Sequence, residues 1–207
     1  MANMDPKIPK FFTDHTNFLM ATGTAQDGNF DVMSGSDLIN TFNAGSEAEL
    51  FDMKPMNQVH FETSGSSAIK ADHVLINIDL GSSAFNCDYV AILNHNMESS
   101  DAKVRVSHSD TEGHVQAADM GSATACANVT EVVNADAISN NVVTPDTDGS
   151  TLFTFDSSDD QYWGIQFEGS DSGSFDGTYD LKIGCVMIGE SYTMPNAPDL
   201  SVKRTIV

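Results

Sequence analysis

The chain has 207 residues, with nine Lys+Arg against thirty Asp+Glu and a formal net charge of −21. That length suits one β-sandwich or barrel domain, which buries roughly 70% of the surface exposed by its unfolded chain and needs no covalent staples. Scattered single cations exclude a nucleic-acid partner, which needs them clustered, and the acid surplus excludes an anionic membrane surface. Cys87, Cys126 and Cys185 are odd in number and lack metal-ligand spacing, so they read as small buried hydrophobes. The first residues, MANMDPKIPKFFTDHTNF, hold no continuous apolar stretch of the kind a signal peptide needs, so the expectation is synthesis in a cytoplasm.

Gly, Ser, Asn, Asp and Thr punctuate short β-prone runs, the pattern of an all-β protein. In chain order the expected strands are 17–23 (NFLMATG), 59–63, 73–81 (HVLINIDLG), 89–96 (YVAILNHN), 103–109 (KVRVSHS), 151–156, 162–169 (YWGIQFEG) and 179–190 (YDLKIGCVMIGE). Val74, Ile76, Ile78 and Leu80 fall on one face of their strand, as do Val104 and Val106, with Asn77, Asp79, Lys103 and Arg105 opposite. One-sided alternation suits antiparallel sheets packed face to face. Short helical turns are expected in 31–42 (DVMSGSDLINTF) and 46–56, the latter opened by Ser46 with Glu49 as a capping box and closed by Pro55. Residues 110–150 read as a long connection with strands near 127–134 and 138–144. The domain plan is an extended N-terminal segment 1–14, a sandwich 15–190 and an extended tail 191–207 that docks on a neighbour by strand addition. The last residues, SVKRTIV, stop mid-pattern, so a longer native chain is expected.

Candidate chemistry is sparse. His95 follows the apolar run YVAIL, but no second ligand or nucleophile stands at useful spacing, and Asn94–His95–Asn96 suits a strand end that bonds its own backbone. In TPDTDGSTLFTFDSSDDQ, the residues Asp146, Asp148, Asp156, Asp159 and Asp160 offer a calcium loop, since Asp-x-Asp-Gly opens such loops; the twelfth-position Glu is missing, and ordinary turn chemistry is the alternative. His95 and Asp160 are candidate glycan-contacting loop residues. Trp163, with Tyr162 beside it, reads as a core anchor before a sugar-stacking platform. There is no GxSxG, P-loop, GxGxxG or HExxH motif, and no catalytic residue or cofactor is assigned. Nothing singles out a carboxylate pair for glycoside hydrolysis.

The order HVLINIDLG, YVAILNHN, KVRVSHSD, DQYWGIQFEGSDSG, YDLKIGCVMIGE resembles the discoidin-like (galactose-binding-like, coagulation-factor type C) β-sandwich. The phrases AILNHN and IGESYTMP further resemble that module in structural proteins of marine tailed bacteriophages. The resemblance implies an antiparallel jelly-roll sandwich with extended termini, acting as a non-enzymatic virion component (tail, adaptor, fibre or head decoration). Its partners would then be other virion proteins and further copies of itself. The alternative it implies is a carbohydrate-binding module that attaches to host surface glycans. The arginines Arg105 and Arg204 lie on a strand and in the tail, away from the loops where sugar-binding members of that fold place theirs.

Overall fold

The computed structural model describes residues 8–22, 30–34, 37–38, 42–63, 73–81, 85–117, 125–133, 145–169 and 179–195. Its elements are β1 (Lys10–Phe12), α1 (His15–Ala21), β2 (Phe30–Ser34), β3 (Asp37–Leu38), a 3₁₀ turn (Glu47–Phe51), β4 (Val59–His60), β5 (His73–Asp79), β6 (Cys87–His95) and β7 (Ala102–Ser109). There follow α2 (Glu112–Ala117), a 3₁₀ turn (Ala125–Asn128), β8 (Thr130–Glu131), β9 (Gly149–Ser158), β10 (Tyr162–Gly169), β11 (Lys182–Ile183), β12 (Cys185–Gly189) and β13 (Ser191–Thr193). A six-stranded antiparallel sheet, β3-β2-β5-β10-β7-β8, and a three-stranded one, β12-β6-β9, supply the two layers of an all-β sandwich.

The core follows from the period-2 pattern. Trp163 stands opposite Ile78 and His108, Ile165 opposite Ile76 and Val106, and Phe167 opposite Val74 and Val104, so three rows, apolar but for His108, cross β5, β10 and β7. They pack in one cluster with Val90 and Ile92 of β6 and with Val186 and Ile188 of β12. Each such fully buried side chain stabilises the fold by about 1.5–3 kcal/mol. The opposite face of the large sheet carries polar residues, and α2 covers part of it: Val115 lies directly over Gly164, where a Cβ would stand 2.6 Å from Val115 Cγ1.

Several local expectations are corrected. Residues 15–21 are helical, not a strand, because the Asp14 carboxylate accepts from Asn17 N at 3.1 Å as an N-cap and turns Thr16 and Leu19 together toward the interior. The expected helical stretch 31–42 instead holds β2 and β3, since Phe30 and Val32 alternate into the core with Asp31 between them. The turn at Ser46 forms as expected, with Glu49 accepting from Ser46 N at 3.0 Å. In 110–150 the structure has a helix, α2, and only the two-residue β8 near 127–134; the strand expected at 138–144 lies outside the described residues. The segment 179–190 divides at Gly184 into β11, which pairs with β4, and β12, which pairs with β6.

Parts of both terminal segments are described, residues 8–14 and 191–195. β1 and β13 pair with each other, Lys10 opposite Thr193, Phe11 opposite Tyr192 and Phe12 opposite Ser191. Tyr89 in β6 donates to Thr13 O, and Thr13 N donates to Glu190 O, which ties the ribbon to the small sheet. Residues 10–12 and 191–193 therefore satisfy one another within the chain.

A candidate ligand cleft between β8 and β9

The two layers part along one flank, where β8 edges the large sheet and β9 the small one. A cleft of about 610 Å³ lies there, within the range of ordinary ligand sites. His108, Thr130 and Glu131 line it from one side, and Thr154, Phe155, Asp156, Ser157 and Ser158 line it from β9.

Local sequence explains each position. The alternation of β7 turns His108 to the same side as Val104 and Val106, toward the core, so its ring meets Trp163 at 4.6 Å between centroids. Trp163 stacks in turn on Phe155, 5.5 Å away at 28°. The β9–β10 turn folds back over this pair. Trp163 Nε1 donates to Asp160 O at 2.8 Å, and the Asp160 carboxylate meets His108 Nδ1 at 2.5 Å. Ser158 Oγ lies 3.3 Å from the same ring nitrogen and accepts from Asp160 N at 3.3 Å. Since a carboxylate only accepts, Nδ1 carries the proton, and the ring is held by its neighbours.

This is a positioning arrangement. A hydrolytic relay needs the nucleophile on one ring nitrogen and the carboxylate on the other; here Ser158 and Asp160 share Nδ1.

On the far face of β7, Arg105 is 1% exposed, with Nη1 3.2 Å from Glu131 Oε1 and Nη2 donating to Gln166 Oε1 at 2.5 Å. Its charge is thus committed to Glu131, which borders the cleft.

The structure divides the expected calcium set. Asp146 and Asp148 precede β9, whereas Asp159 and Asp160 follow it; ten extended residues separate the pairs by roughly 30 Å. Asp148 accepts from Ser99 N at 3.0 Å and from Ser99 Oγ at 2.5 Å. Burial opposes its ionisation, but those bonds, one from Glu98 N and the nearby His95 outweigh it and hold the carboxyl below its usual range. Asp156 lines the cleft and Asp160 braces it through His108. Among the described residues no three His, Cys, Asp or Glu side chains converge in a cluster that could hold a metal ion.

His95 and Asp160 likewise do not form one site. His95 ends β6 beside Gly149, while Asp160 lies past Ser158, which pairs with Cys87 at the start of β6. The His95 ring meets Thr151 Oγ1 at 2.7 Å, and its Nδ1 accepts from Met97 N at 3.3 Å, bonds that close the strand end. Sequence reasoning missed His108 and Glu131 as cleft residues. The first was signalled by a histidine on the apolar face of KVRVSHS; the second had no local signal, because β8 is two residues long.

No family model matches the chain, and no curated protein matches it. Among solved structures, it is similar to CpGH89CBM32-4 produced by Clostridium perfringens (13% identity, 86% of this chain and 99% of that one, TM-score 0.49). It is also similar to chitosan-binding module 2, in complex with chitotriose, of a chitosanase/glucanase from Paenibacillus sp. IK-5 (14% identity, 78% and 95%, TM-score 0.48). A third is CpGH89CBM32-5 from Clostridium perfringens, in complex with GalNAc-β-1,3-galactose (14% identity, 79% and 96%, TM-score 0.47). These are similarities of backbone path at low identity, and they assign no residue of this chain to a site.

Proposed function

We propose that the protein is a non-catalytic glycan-binding module whose site is the β8–β9 cleft. The observation that carries this reading is the composition of the cleft wall. Thr130, Thr154, Asp156, Ser157 and Ser158 line one concave space together with the partly buried Phe155. Many small donors and acceptors beside an apolar ring match the alternating hydroxyls and C–H faces of a sugar. Behind them the His108–Asp160 pair, braced on Trp163, keeps the wall rigid before a ligand arrives, which lowers the ordering cost of binding.

The test is calorimetric titration of the full chain with a broad panel of oligosaccharides, read in parallel by emission of Trp163, the chain's single tryptophan. Saturable binding that moves Trp163 emission, and that weakens in Thr154→Val with unchanged melting temperature, is the expected result. A panel in which no glycan gives heat or an emission change sinks the reading.

A second reading, a virion component that works by assembly contacts, is favoured by one observation. The β1–β13 ribbon places Phe11 and Tyr192 opposite one another, 56% and 58% exposed, on an otherwise acidic chain. Mass spectrometry of purified particles tests it: fixed stoichiometry supports it, and absence from particles removes it.

A further inference from the structure

We infer that His108 is the residue that selects the ligand in the cleft: its Nε2 accepts a hydrogen bond from one hydroxyl of the bound sugar. This rests on the glycan-binding reading above and names the contact that gives it specificity.

His108 faces inward from β7, opposite Thr130 of β8 on one side and Trp163 of β10 on the other, and it lines the cleft. Its Nδ1 is committed to the β9–β10 turn, with the Asp160 carboxylate at 2.5 Å and Ser158 Oγ at 3.3 Å. The two nitrogens of an imidazole point to nearly opposite sides of the ring, so Nε2 is turned away from that turn. With the proton on Nδ1, the neutral ring presents a bare lone pair at Nε2. His108 is only 6% exposed, yet Nε2 meets no donor among the described residues and is not sealed from solvent. A polar atom at that depth needs a partner, and the cleft is where one can enter.

The direction of that lone pair is fixed as well. Turning the ring over would exchange the two nitrogens and give up the Asp160 bond. Asp160 is itself held, because its carbonyl accepts from Trp163 Nε1 at 2.8 Å. An acceptor held in one direction discriminates between sugars: one with a hydroxyl at that place is bound, and one without it leaves the nitrogen unsatisfied.

The test is nitrogen NMR of the full chain, isotope-labelled at histidine, in mildly alkaline solution during titration with cellotetraose, laminaritetraose, mannotetraose and xylotetraose. The free chain should show His108 with its proton on Nδ1 and a bare Nε2, and a tetramer that binds should shift the Nε2 resonance toward the hydrogen-bonded form. His108→Asn keeps an amide N–H where Nδ1 donates to Asp160 and removes Nε2. It should weaken that tetramer about tenfold, the worth of one hydrogen bond, at an unchanged melting temperature. One monodeoxy analogue of the tetramer should show the same loss, and it should bind the wild type and His108→Asn equally. The wild-type resonance decides the matter even where the variant does not fold. A protonated Nε2 in the free chain, a resonance that stays put while heat is released, or full binding by folded His108→Asn overturns the contact while the glycan-binding reading stands. Absence of binding by these tetramers and by the broad panel overturns both.

Discussion

Arg105 and Gln166 stand directly opposite one another in the β7–β10 ladder, and the arginine also bonds Glu131 on β8, the strand on the other side of β7. One buried guanidinium thus joins three strands of the large sheet and fixes the strand that borders the cleft. Removing one partner of a buried pair leaves the other charge uncompensated and costs about 3–5 kcal/mol. Arg105→Ala is expected to lower stability by that order, seen as a reduced urea midpoint. Arg105→Lys keeps the charge but loses the planar fork and should recover only part of the deficit. A midpoint unchanged in Arg105→Ala refutes the bracing role.

Acid should loosen the far end of the small sheet. His95 has its pKa lowered from 6.5, first by burial, with Asp148 only partly restoring it. A depressed histidine pKa means the unfolded chain takes up the proton first. The stability is complete above pH 6.5 and declines as pH falls from there toward the lowered folded value. His60, lowered first by burial and then by Lys182, acts in the same window. Urea melts between neutral and mildly acidic pH should show this decline, and His95→Gln should make it shallower. An identical pH slope in that variant means His95 does not couple to folding.

Gly184 marks where the backbone of β11–β12 passes closest to another segment. A Cβ there would lie 2.0 Å from Pro55 O, while Gly184 N donates to Leu93 O at 3.0 Å. Neither backbone can yield without losing its own bonds. Gly184→Ala is therefore expected to cost about 1–3 kcal/mol or more through overpacking. Leu152→Ser, at a half-exposed position on β9, should stay within about 0.5 kcal/mol. Comparable melting temperatures for the two variants contradict the close approach.

The thiols of Cys87 and Cys185 should be silent in the folded protein. Burial, with Asp88 and Glu190 adding to it, pushes Cys87 up to about 12, and burial pushes Cys185 up to about 11. The thiolate is the reactive form, so a maleimide at neutral pH should leave both unmodified until urea unfolds the chain. Peptide mass spectrometry reads each cysteine separately, and native labelling of either one contradicts its burial.

What the sequence disclosed depended on the range of the interaction. The rows through Val74, Ile76 and Ile78, through Val104 and Val106, and through Trp163, Ile165 and Phe167 follow from alternation within single strands, and they fixed the sandwich. NFLMATG reads as a strand from its apolar run alone, but so short a run suits a helix equally, and the deciding residue was Asp14 just before it. Pairing of Phe11 with Tyr192 leaves no local trace, because the partners are most of a chain apart. The cleft was half legible. Asp156 and Asp160 stood in the acidic segment, yet their separation from Asp146 and Asp148 emerged only once β9 was known to run extended for ten residues. His108 stands in phase with Val104 and Val106, a signal the sequence carried unread, and Asp160 reaches it only by the turn that closes over Trp163.

The ribbon of β1 and β13 also sets how the domain answers a mechanical load. Lys10 and Thr193 are opposite partners, as are Phe11 with Tyr192 and Phe12 with Ser191. A pull that separates Lys10 from Thr193 acts across the strands, so it opens these pairs one after another in the manner of a zipper. The load then reaches Thr13, whose N–H and carbonyl are tied to Glu190 and Tyr89. The sandwich core is strained only after that clasp has parted, which makes the ribbon the first element to yield and the part that shields the cleft from tension.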